Sequence, residues 1–307
     1  MAHRLEIFSN TVAVNYQTIV PIMFRHLPDG EHLHIGTGFV IAAMGRHAIV
    51  ITAAHVLADV IDRATPRKSR FLFPDGSKEP MSAIAGDEYQ HLVVFKSNQQ
   101  TFIAEVTHAW GCKKSDLAVL CVDIPAAVDE LITQQFAINS AGPSVGDTVN
   151  IHGYFEIQDI SAEMVPPGFG PLLRHLSGGD LPVFAEGKQS SLSGRVVERF
   201  PEGVALVRSA CFRVDQAFNS GMSGGPVIHW VGGEPAVCGL ISLDDSDDAY
   251  GTGKWAIASE LANLLDMDLR INGQHPLTYS HSDLPPTQIR SLRDLVRLGV
   301  IRDLGSA

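Results

Sequence analysis

Short apolar runs separated by turn residues are the feature that most constrains how this chain can fold. Each run is four to eight residues long and rich in Val, Ile or Phe, and Gly and Pro recur between the runs. This pattern is typical of strands in an all-β sandwich or barrel rather than of alternating βαβ units. The clearest runs are Thr37–Ala42, Ala48–Thr52, His91–Phe95, Leu117–Val122, Thr148–His152, Val204–Val207, Pro226–Trp230 and Ala236–Leu243.

The order of these runs predicts two β halves of similar size in a chain of 307 residues, a length that suits about two domains. Residues 125–138 are predicted to connect the halves, and the Gly- and Pro-rich stretch 156–188 to form a long loop. A helix is predicted over Ala258–Leu265. A polar linker over residues 272–286 and an amphipathic helix over residues 288–304 are predicted to follow.

Composition excludes several classes of protein. The 23 basic residues are outnumbered by 34 acidic ones, which gives a net charge of −11 and no basic run, so nucleic-acid binding is not expected. No apolar run reaches the length of a transmembrane helix, so no membrane association is expected either. The first residues lack a secretory signal pattern, so a cytoplasmic protein is predicted. The four cysteines form no CxxC pair and are predicted to be free, buried thiols.

The strongest local signal is a serine flanked by glycines in the segment Gly221–Pro226. Such a turn lets a substrate approach the main chain, and it can aim the N–H groups of Gly221 and Ser223 at one point as an oxyanion hole. The same pattern also fits the nucleophile elbow of α/β-hydrolases or a simple tight turn. The motif alone leaves these three interpretations open.

Two further segments favour one interpretation. An apolar strand delivers His55 at its end, and Asp116 stands at the head of another apolar strand. The chain order His55, Asp116, Ser223 is that of a chymotrypsin-type triad and differs from the order in α/β-hydrolases. An elbow would instead need Asp245 and His275, and the residues after Ser223 suit a strand rather than the helix of an elbow.

Together these segments resemble the trypsin-like serine proteases, and within them the bacterial HtrA-type branch. The resemblance covers roughly residues 33–268. It implies an all-β fold of two six-stranded antiparallel β-barrels with a C-terminal helix, to which this chain adds a helical tail. The matching segments, in chain order, are Gly36–Ile41, Thr52–His55, Asp116–Leu120, Val214–Pro226, Gly239–Ser242 and Gly251–Ala258.

The resemblance also implies a division of the chain. The first barrel, with His55 and Asp116, is expected in residues 1–125, a connector in 126–145, and the second barrel, with Ser223, in 146–270. Residues 271–307 remain as a linker and amphipathic tail. They are too few for the PDZ domain that usually follows in HtrA-type proteases.

Roles for individual residues follow from the same resemblance. Ser223 is expected to be the nucleophile, His55 its base and Asp116 the residue that orients the base, with an oxyanion hole at Gly221 and Ser223. Met222 stands where digestive relatives carry an aspartate, so a zymogen switch based on that ion pair is not expected. The substrate pocket is expected at Ala217, Ser242, Leu243 and Asp244.

The predicted function is therefore a serine endopeptidase acting on a protein or peptide substrate without a cofactor. His32 and His34 beside Glu31 form a weak zinc pattern, and because no third ligand is placed we predict no metal site. The alternative is a protease-fold binding or scaffold protein, or a protease restricted to one partner. Residues 287–304 are predicted either to pack on the protease body or to bind a partner or a second copy.

Overall fold

The apolar runs form the strands of two closed antiparallel barrels in a computed structural model. The runs His47–Thr52 and Leu117–Asp123 are buried along almost their whole length, so both faces of these strands are covered. In a barrel strand one face points to the interior, and here the outer face is buried as well. The structure describes residues 18–26, 32–45, 47–57, 81–83, 89–96, 101–124, 135–160, 184–245, 255–271, 273–281 and 284–305.

The first barrel is a ring of six strands in the order β6-β5-β1-β2-β3-β7, closed by pairing of β6 with β7; β4 extends the sheet at β6. Because β3 and β7 are neighbours, the strand that leads to His55 lies against the strand that follows Asp116. The strands are β1 Ile19–His26, β2 His32–Met44, β3 His47–Thr52, β4 Met81–Ala83, β5 Tyr89–Lys96, β6 Thr101–Cys112 and β7 Leu117–Asp123.

The second barrel repeats this plan with six strands in the order β12-β9-β10-β11-β14-β13, closed by pairing of β12 with β13. The short strand β8 joins β13 in parallel. The strands are β8 Ala137–Ile138, β9 Thr148–Ile160, β10 Phe184–Phe200, β11 Cys211–Val214, β12 Pro226–Val231, β13 Glu234–Asp245 and β14 Trp255–Glu260. The predicted fold of two six-stranded antiparallel barrels is confirmed.

Two local predictions were wrong. Residues Val204–Val207 form a tight turn closed by hydrogen bonds between Val204 and Val207, and Ala205 has a φ of +52°. The predicted helix at Ala258–Leu265 is strand β14 up to Glu260, and helix α1 covers only Ala262–Leu265. Pairing with β11 and β13 outweighs the helical preference of this segment, because strand hydrogen bonds close the barrel there.

The tail also differs from its prediction. A hairpin of β15 Thr278–His281 and β16 Leu284–Gln288 replaces most of the expected linker, and helix α2 covers only Leu292–Arg297. A capping box at Ser291 and Asp294 begins α2, and Gly299, with a φ of +71°, follows its end.

The tail packs on the chain's own body. Ile289, Leu292, Leu295 and Ile301 are at most 2% exposed and share one apolar cluster with the core of the first barrel. The bidentate ion pair of Arg293 with Asp266 adds a polar contact at this surface. The apolar stripe is thus covered by the protein itself, and association of residues 287–304 with a partner stays a prediction.

Some predictions concern residues that the structure does not describe. These are the middle of the loop at 161–183, most of the connector at 125–134 and the start of the chain at 1–17. The backbone of His32 and His34 lies in β2, but their side chains and Glu31 are outside the described part. The four cysteines are free, and all but the half-buried Cys112 are buried. Within the described residues, no helix is long and apolar enough to cross a bilayer.

Candidate active site

His55 and Asp116 form a two-point contact at one end of the first barrel. His55 lies in a helical turn directly after β3, and Asp116 lies directly before β7. One carboxylate oxygen, Asp116 Oδ2, is 2.8 Å from His55 Nδ1, and the other, Oδ1, accepts a 2.9 Å hydrogen bond from the His55 backbone N–H. This pairing restrains both the position and the ring orientation of His55, and it brings together two residues that the sequence analysis named.

The backbone at Asp116 is held in an unusual conformation. Its φ of +52° lies in the left-handed region, where Asp and Asn are tolerated better than most residues. The Asp116 carbonyl accepts a hydrogen bond of 3.2 Å from the Ala54 N–H, so the aspartate is tied to the histidine turn through main chain and side chain together. The side chain of Asp116 is 10% exposed and that of His55 is 30% exposed, so part of the imidazole reaches the protein surface.

Ser223 stands in a turn whose glycines permit close contact with the first barrel. Gly224 has a φ of +81°, and a side chain there would collide with Thr52 and with the Thr37 carbonyl. The Ser223 carbonyl accepts a 2.8 Å hydrogen bond from the Thr37 N–H. The turn is thereby seated against β2 and β3, the strands that lead to His55.

Gly36 marks the point where the histidine and serine segments meet. A Cβ on Gly36 would lie 2.6 Å from Val56, the neighbour of His55, and 3.0 Å from the Ser223 carbonyl oxygen. Ser223 Oγ makes no hydrogen bond to the described part of the chain, so the structure brings the His55 and Ser223 segments together without joining their side chains. In enzymes without substrate such hydrogen bonds are often long, and they tighten when substrate binds.

Two backbone N–H groups in the serine turn are available to a ligand. Within the described residues, neither the Gly221 N–H nor the Ser223 N–H donates to a protein acceptor. The intervening Met222 N–H is bonded to the Asn219 carbonyl at 3.1 Å, and the Met222 carbonyl accepts from Gly225 at 2.9 Å. The N–H groups of Gly221 and Ser223 are the two that the sequence analysis named for an oxyanion hole.

Met222 anchors this turn in the second barrel. The side chain is fully buried in the apolar cluster of that barrel and lies against Gly153, where a Cβ would be 2.8 Å from Met222 Cβ. The Met222 Sδ accepts a hydrogen bond of 3.4 Å from the Asn219 N–H. An apolar anchor thus occupies the position that the resemblance assigns to an ion-paired aspartate.

Two of the predicted pocket residues, Ser242 and Leu243, follow a residue of β13 that is hydrogen-bonded to the serine turn. Ile241 donates to Gly225 at 3.0 Å and accepts from Gly224 at 2.8 Å, which places Ser242 and Leu243 next to this turn. Ser242 Oγ is 2.7 Å from Ser259 Oγ, and both serines are buried, so this hydroxyl is engaged within the barrel. Leu243 packs beside Ile257 in a small apolar cluster.

Of the other two predicted pocket residues, Ala217 and Asp244, the structure describes the side chain of Ala217 alone. Ala217 is half-buried, and its carbonyl accepts a 2.9 Å hydrogen bond from the Gln216 side chain. The Asp244 backbone pairs with Ala256 in the β13–β14 ladder, and its side chain lies outside the described part. The rest of the acidic segment, residues 246–254, is not described.

One residue of this region was missed by the sequence reasoning. Thr37, in β2, contacts both Gly221 and Ser223 through hydrogen bonds of 2.8 Å. Its signal in the sequence is a hydroxyl between two glycines, Gly36 and Gly38, at the start of the apolar run Thr37–Ala42. Glycines on both sides indicate a strand that another segment approaches closely.

The fold and this arrangement define a chymotrypsin-like protein of two β-barrels. The family model described as a trypsin-like peptidase domain matches residues 36–240, which is more than half of the chain. The chain therefore belongs to the family of trypsin-like peptidase domains. Which branch of the family it represents stays a prediction.

Comparison with other proteins adds two observations. Among curated proteins, none matches the chain. Among solved structures, the chain is similar to the active form of the Rv3671c protease from M. tuberculosis, with 18% identity and a TM-score of 0.47 over 89% of this chain and 96% of that chain. The family assignment rests on the family model.

Two buried histidines give the protein an acid-sensitive core. Burial lowers the pKa of His91, in β5, and of His152, in β9, from 6.5 to about 4. The folded protein thus binds these protons less readily than the unfolded chain. Above pH 6.5 both states hold these histidines neutral, and the free energy of unfolding does not depend on them. As the pH falls from about 6.5 to about 4, protonation of the unfolded chain lowers the free energy of unfolding by up to about 3 kcal/mol per histidine.

We predict that the variants His91→Gln and His152→Gln lose less stability over this pH range than the wild type. Urea unfolding at a series of pH values between 7 and 4 measures the difference, and comparison with the wild type removes the contribution of carboxylates that titrate in the same range. Parallel pH profiles for wild type and variants would contradict the prediction.

Proposed function

We propose that this protein is a serine endopeptidase that hydrolyses peptide bonds through an acyl-enzyme intermediate. Ser223 is the nucleophile, His55 the general base and acid, and Asp116 the residue that orients His55. The observation that carries the proposal is the two-point contact of Asp116 with His55, at 2.8 Å to Nδ1 and 2.9 Å to the backbone N–H.

The contact with Asp116 determines which nitrogen of His55 can act as a base. A carboxylate next to Nδ1 favours the tautomer with a proton on Nδ1, which leaves the lone pair of Nε2 to accept a proton. His55 Nε2 takes the proton of Ser223 Oγ as Oγ attacks the carbonyl carbon of the peptide bond. The tetrahedral intermediate collapses when Nε2 gives this proton to the leaving amine.

A water molecule then repeats the sequence. His55 removes its proton, the oxygen attacks the acyl carbon, and Ser223 Oγ leaves with the proton returned by Nε2. In both halves negative charge develops on the carbonyl oxygen. The N–H groups of Gly221 and Ser223 are the donors proposed to stabilise it, since no protein acceptor among the described residues occupies them.

The proposed substrate is a protein or peptide bound beside the serine turn, with its first residue in a pocket formed by Ala217, Ser242, Leu243 and Asp244. Ala217 provides no charge at the pocket floor, which favours a small or aliphatic first residue. The acidic segment that begins at Asp244 favours basic residues at the second position.

Labelling with a fluorophosphonate probe tests the proposal, because the reaction needs an activated serine and a formed oxyanion hole. We expect the wild type to be labelled and the mass increment to lie on Ser223. Ser223→Ala is expected to abolish labelling. The matched control is Ser220→Ala, which removes an exposed serine of the same turn and is expected to label like the wild type.

Two results would contradict the proposal. Labelling of folded Ser223→Ala at the wild-type rate would assign the nucleophile elsewhere. A folded wild type that no fluorophosphonate labels would instead support the alternative of a binding or scaffold protein with a protease fold.

A further inference from the structure

Thr37 lies at the junction of the two barrels and is fully buried. Its N–H donates to the Ser223 carbonyl at 2.8 Å, and its hydroxyl Oγ1 donates to the Gly221 carbonyl at 2.8 Å. We propose that Thr37 is a positioning residue whose hydroxyl holds the oxyanion hole in its active conformation. The inference rests on the proposed function.

The direction of the Thr37 hydroxyl proton is determined by a neighbour. The Tyr154 backbone N–H lies 2.9 Å from Oγ1 and can act only as a donor, so Oγ1 is the acceptor in that hydrogen bond. The single proton of the hydroxyl is then free to point at the Gly221 carbonyl oxygen. The hydroxyl is therefore an oriented donor to the serine turn.

This hydrogen bond matters because it holds the peptide that lies between the two proposed oxyanion donors. That peptide joins Gly221 to Met222. Its N–H is bonded to the Asn219 carbonyl at 3.1 Å, and the Thr37 hydroxyl holds its carbonyl. Gly221 has a φ of +92° and no Cβ, so the peptide that carries its carbonyl can rotate at little steric cost. Rotation about the φ and ψ bonds of Gly221 changes the angle between the Gly221 N–H and the plane of the next peptide. A fixed Gly221 carbonyl therefore fixes the angle at which the two N–H groups of Gly221 and Ser223 converge.

Thr37 also connects the oxyanion hole to the histidine. The Thr37 carbonyl accepts a 2.7 Å hydrogen bond from Thr52 Oγ1, and Thr52 lies three residues before His55. One residue of β2 thus has hydrogen bonds to the serine turn of the second barrel and to the strand that leads to His55. Such a connection keeps the oxyanion donors and the general base in one fixed arrangement.

Thr37→Val tests the inference, because it replaces the hydroxyl by a methyl group of similar size. We expect kcat for p-nitrophenyl acetate hydrolysis to fall by at least about tenfold and by up to about 10²-fold, the loss typical when one oxyanion donor is removed outright, while KM changes by less than about threefold. The rate of fluorophosphonate labelling is expected to fall by a similar factor. Rates are to be referred to active sites counted by titration, so that unfolded protein does not contribute.

A second pair of variants separates the hydroxyl from packing. Thr37→Ser and Thr37→Ala both lack the methyl group and differ only in the hydroxyl, so Ser is expected to keep the wild-type kcat within about threefold and Ala to lose it as Val does. This pair also decides the question if Thr37→Val does not fold. Thr107→Val, which removes a hydroxyl bonded to the Cys121 carbonyl at 3.1 Å in the first barrel, is the control and should retain the wild-type kcat.

Two outcomes would overturn the inference. One is a folded Thr37→Val or Thr37→Ala with the kcat of the wild type, and the other is Thr37→Ser with the same loss as Thr37→Ala. In either case a wild type that hydrolyses the ester and is labelled at Ser223 leaves the proposed function intact. A folded wild type that does neither means that the proposed function itself has failed.

Discussion

Asp116→Asn is expected to lower kcat for peptide or ester hydrolysis by about 10⁴-fold while the free energy of unfolding changes little. The amide group of Asn presents an N–H₂ donor to His55 Nδ1, which favours the tautomer with the proton on Nε2. An imidazole in that state cannot accept the proton of Ser223. The loss is thus a loss of the base and not of the fold.

The fold is expected to survive because Asn suits the position in two ways. It tolerates the left-handed φ of +52° that Asp116 adopts, and its side-chain oxygen can still accept the His55 backbone N–H. Urea unfolding of wild type and variant measures stability, and kcat referred to titrated protein measures catalysis.

Asp123→Asn is the matched control for this experiment. Asp123 also pairs with a histidine of the same barrel, at 2.7 Å from His47 Nδ1, but both side chains are almost half exposed and lie away from the serine turn. The change should leave kcat unaltered. Wild-type kcat in Asp116→Asn, or an equal loss in Asp123→Asn, would show that Asp116 has no special role.

Truncation after Asn272 is expected to remove most of the stability of the protein. The deleted residues include five apolar side chains that are at most 3% exposed and belong to the cluster of the first barrel, namely Leu277, Ile289, Leu292, Leu295 and Ile301. Burying one such side chain contributes roughly 1.5–3 kcal/mol, and the ordering of the tail offsets part of the sum. The remainder is comparable to the total stability of a typical domain, about 5–15 kcal/mol.

The expected result is a truncated chain that either does not fold or melts far below the full chain. Leu295→Ala in the full chain provides a milder test and should cost about 2–5 kcal/mol. Arg293→Ala is the control, because its ion pair with Asp266 is largely exposed and such pairs contribute at most about 1 kcal/mol. A truncated chain with unchanged melting temperature and a lower mass in solution would instead assign the tail to self-association.

The sequence by itself determined the type of element in much of the chain and the family. Runs of Val and Ile such as His47–Thr52 and Leu117–Asp123 form strands when one or both faces of the run are buried. The number of such runs in the chain suits two barrels. The motifs around His55, Asp116 and Ser223 could also be found in the sequence, since each is a contiguous segment with characteristic turn residues. These features are encoded in neighbouring residues.

Local sequence patterns predicted the wrong secondary structure where the hydrogen-bond partners come from a neighbouring strand. Ala258 and Ser259 could begin a helix by composition, yet pairing with β11 and β13 makes them strand. The hairpin strand Leu284–Gln288 contains two prolines, which argue against a strand, and it is retained as one half of a two-stranded sheet. In the same way, the apolar stripe of the tail was visible in the sequence, but not the surface that covers it.

Only the tertiary structure decided how the candidate site is held together. The Thr37 hydroxyl and the Gly221 carbonyl are 184 positions apart in the chain and 2.8 Å apart in space. Asp116 and His55 are 61 positions apart and meet because β3 and β7 are adjacent in the closed barrel. A hydrogen bond depends on distance and direction within a few tenths of an ångström, and closure of the two barrels, not the local sequence, sets these quantities.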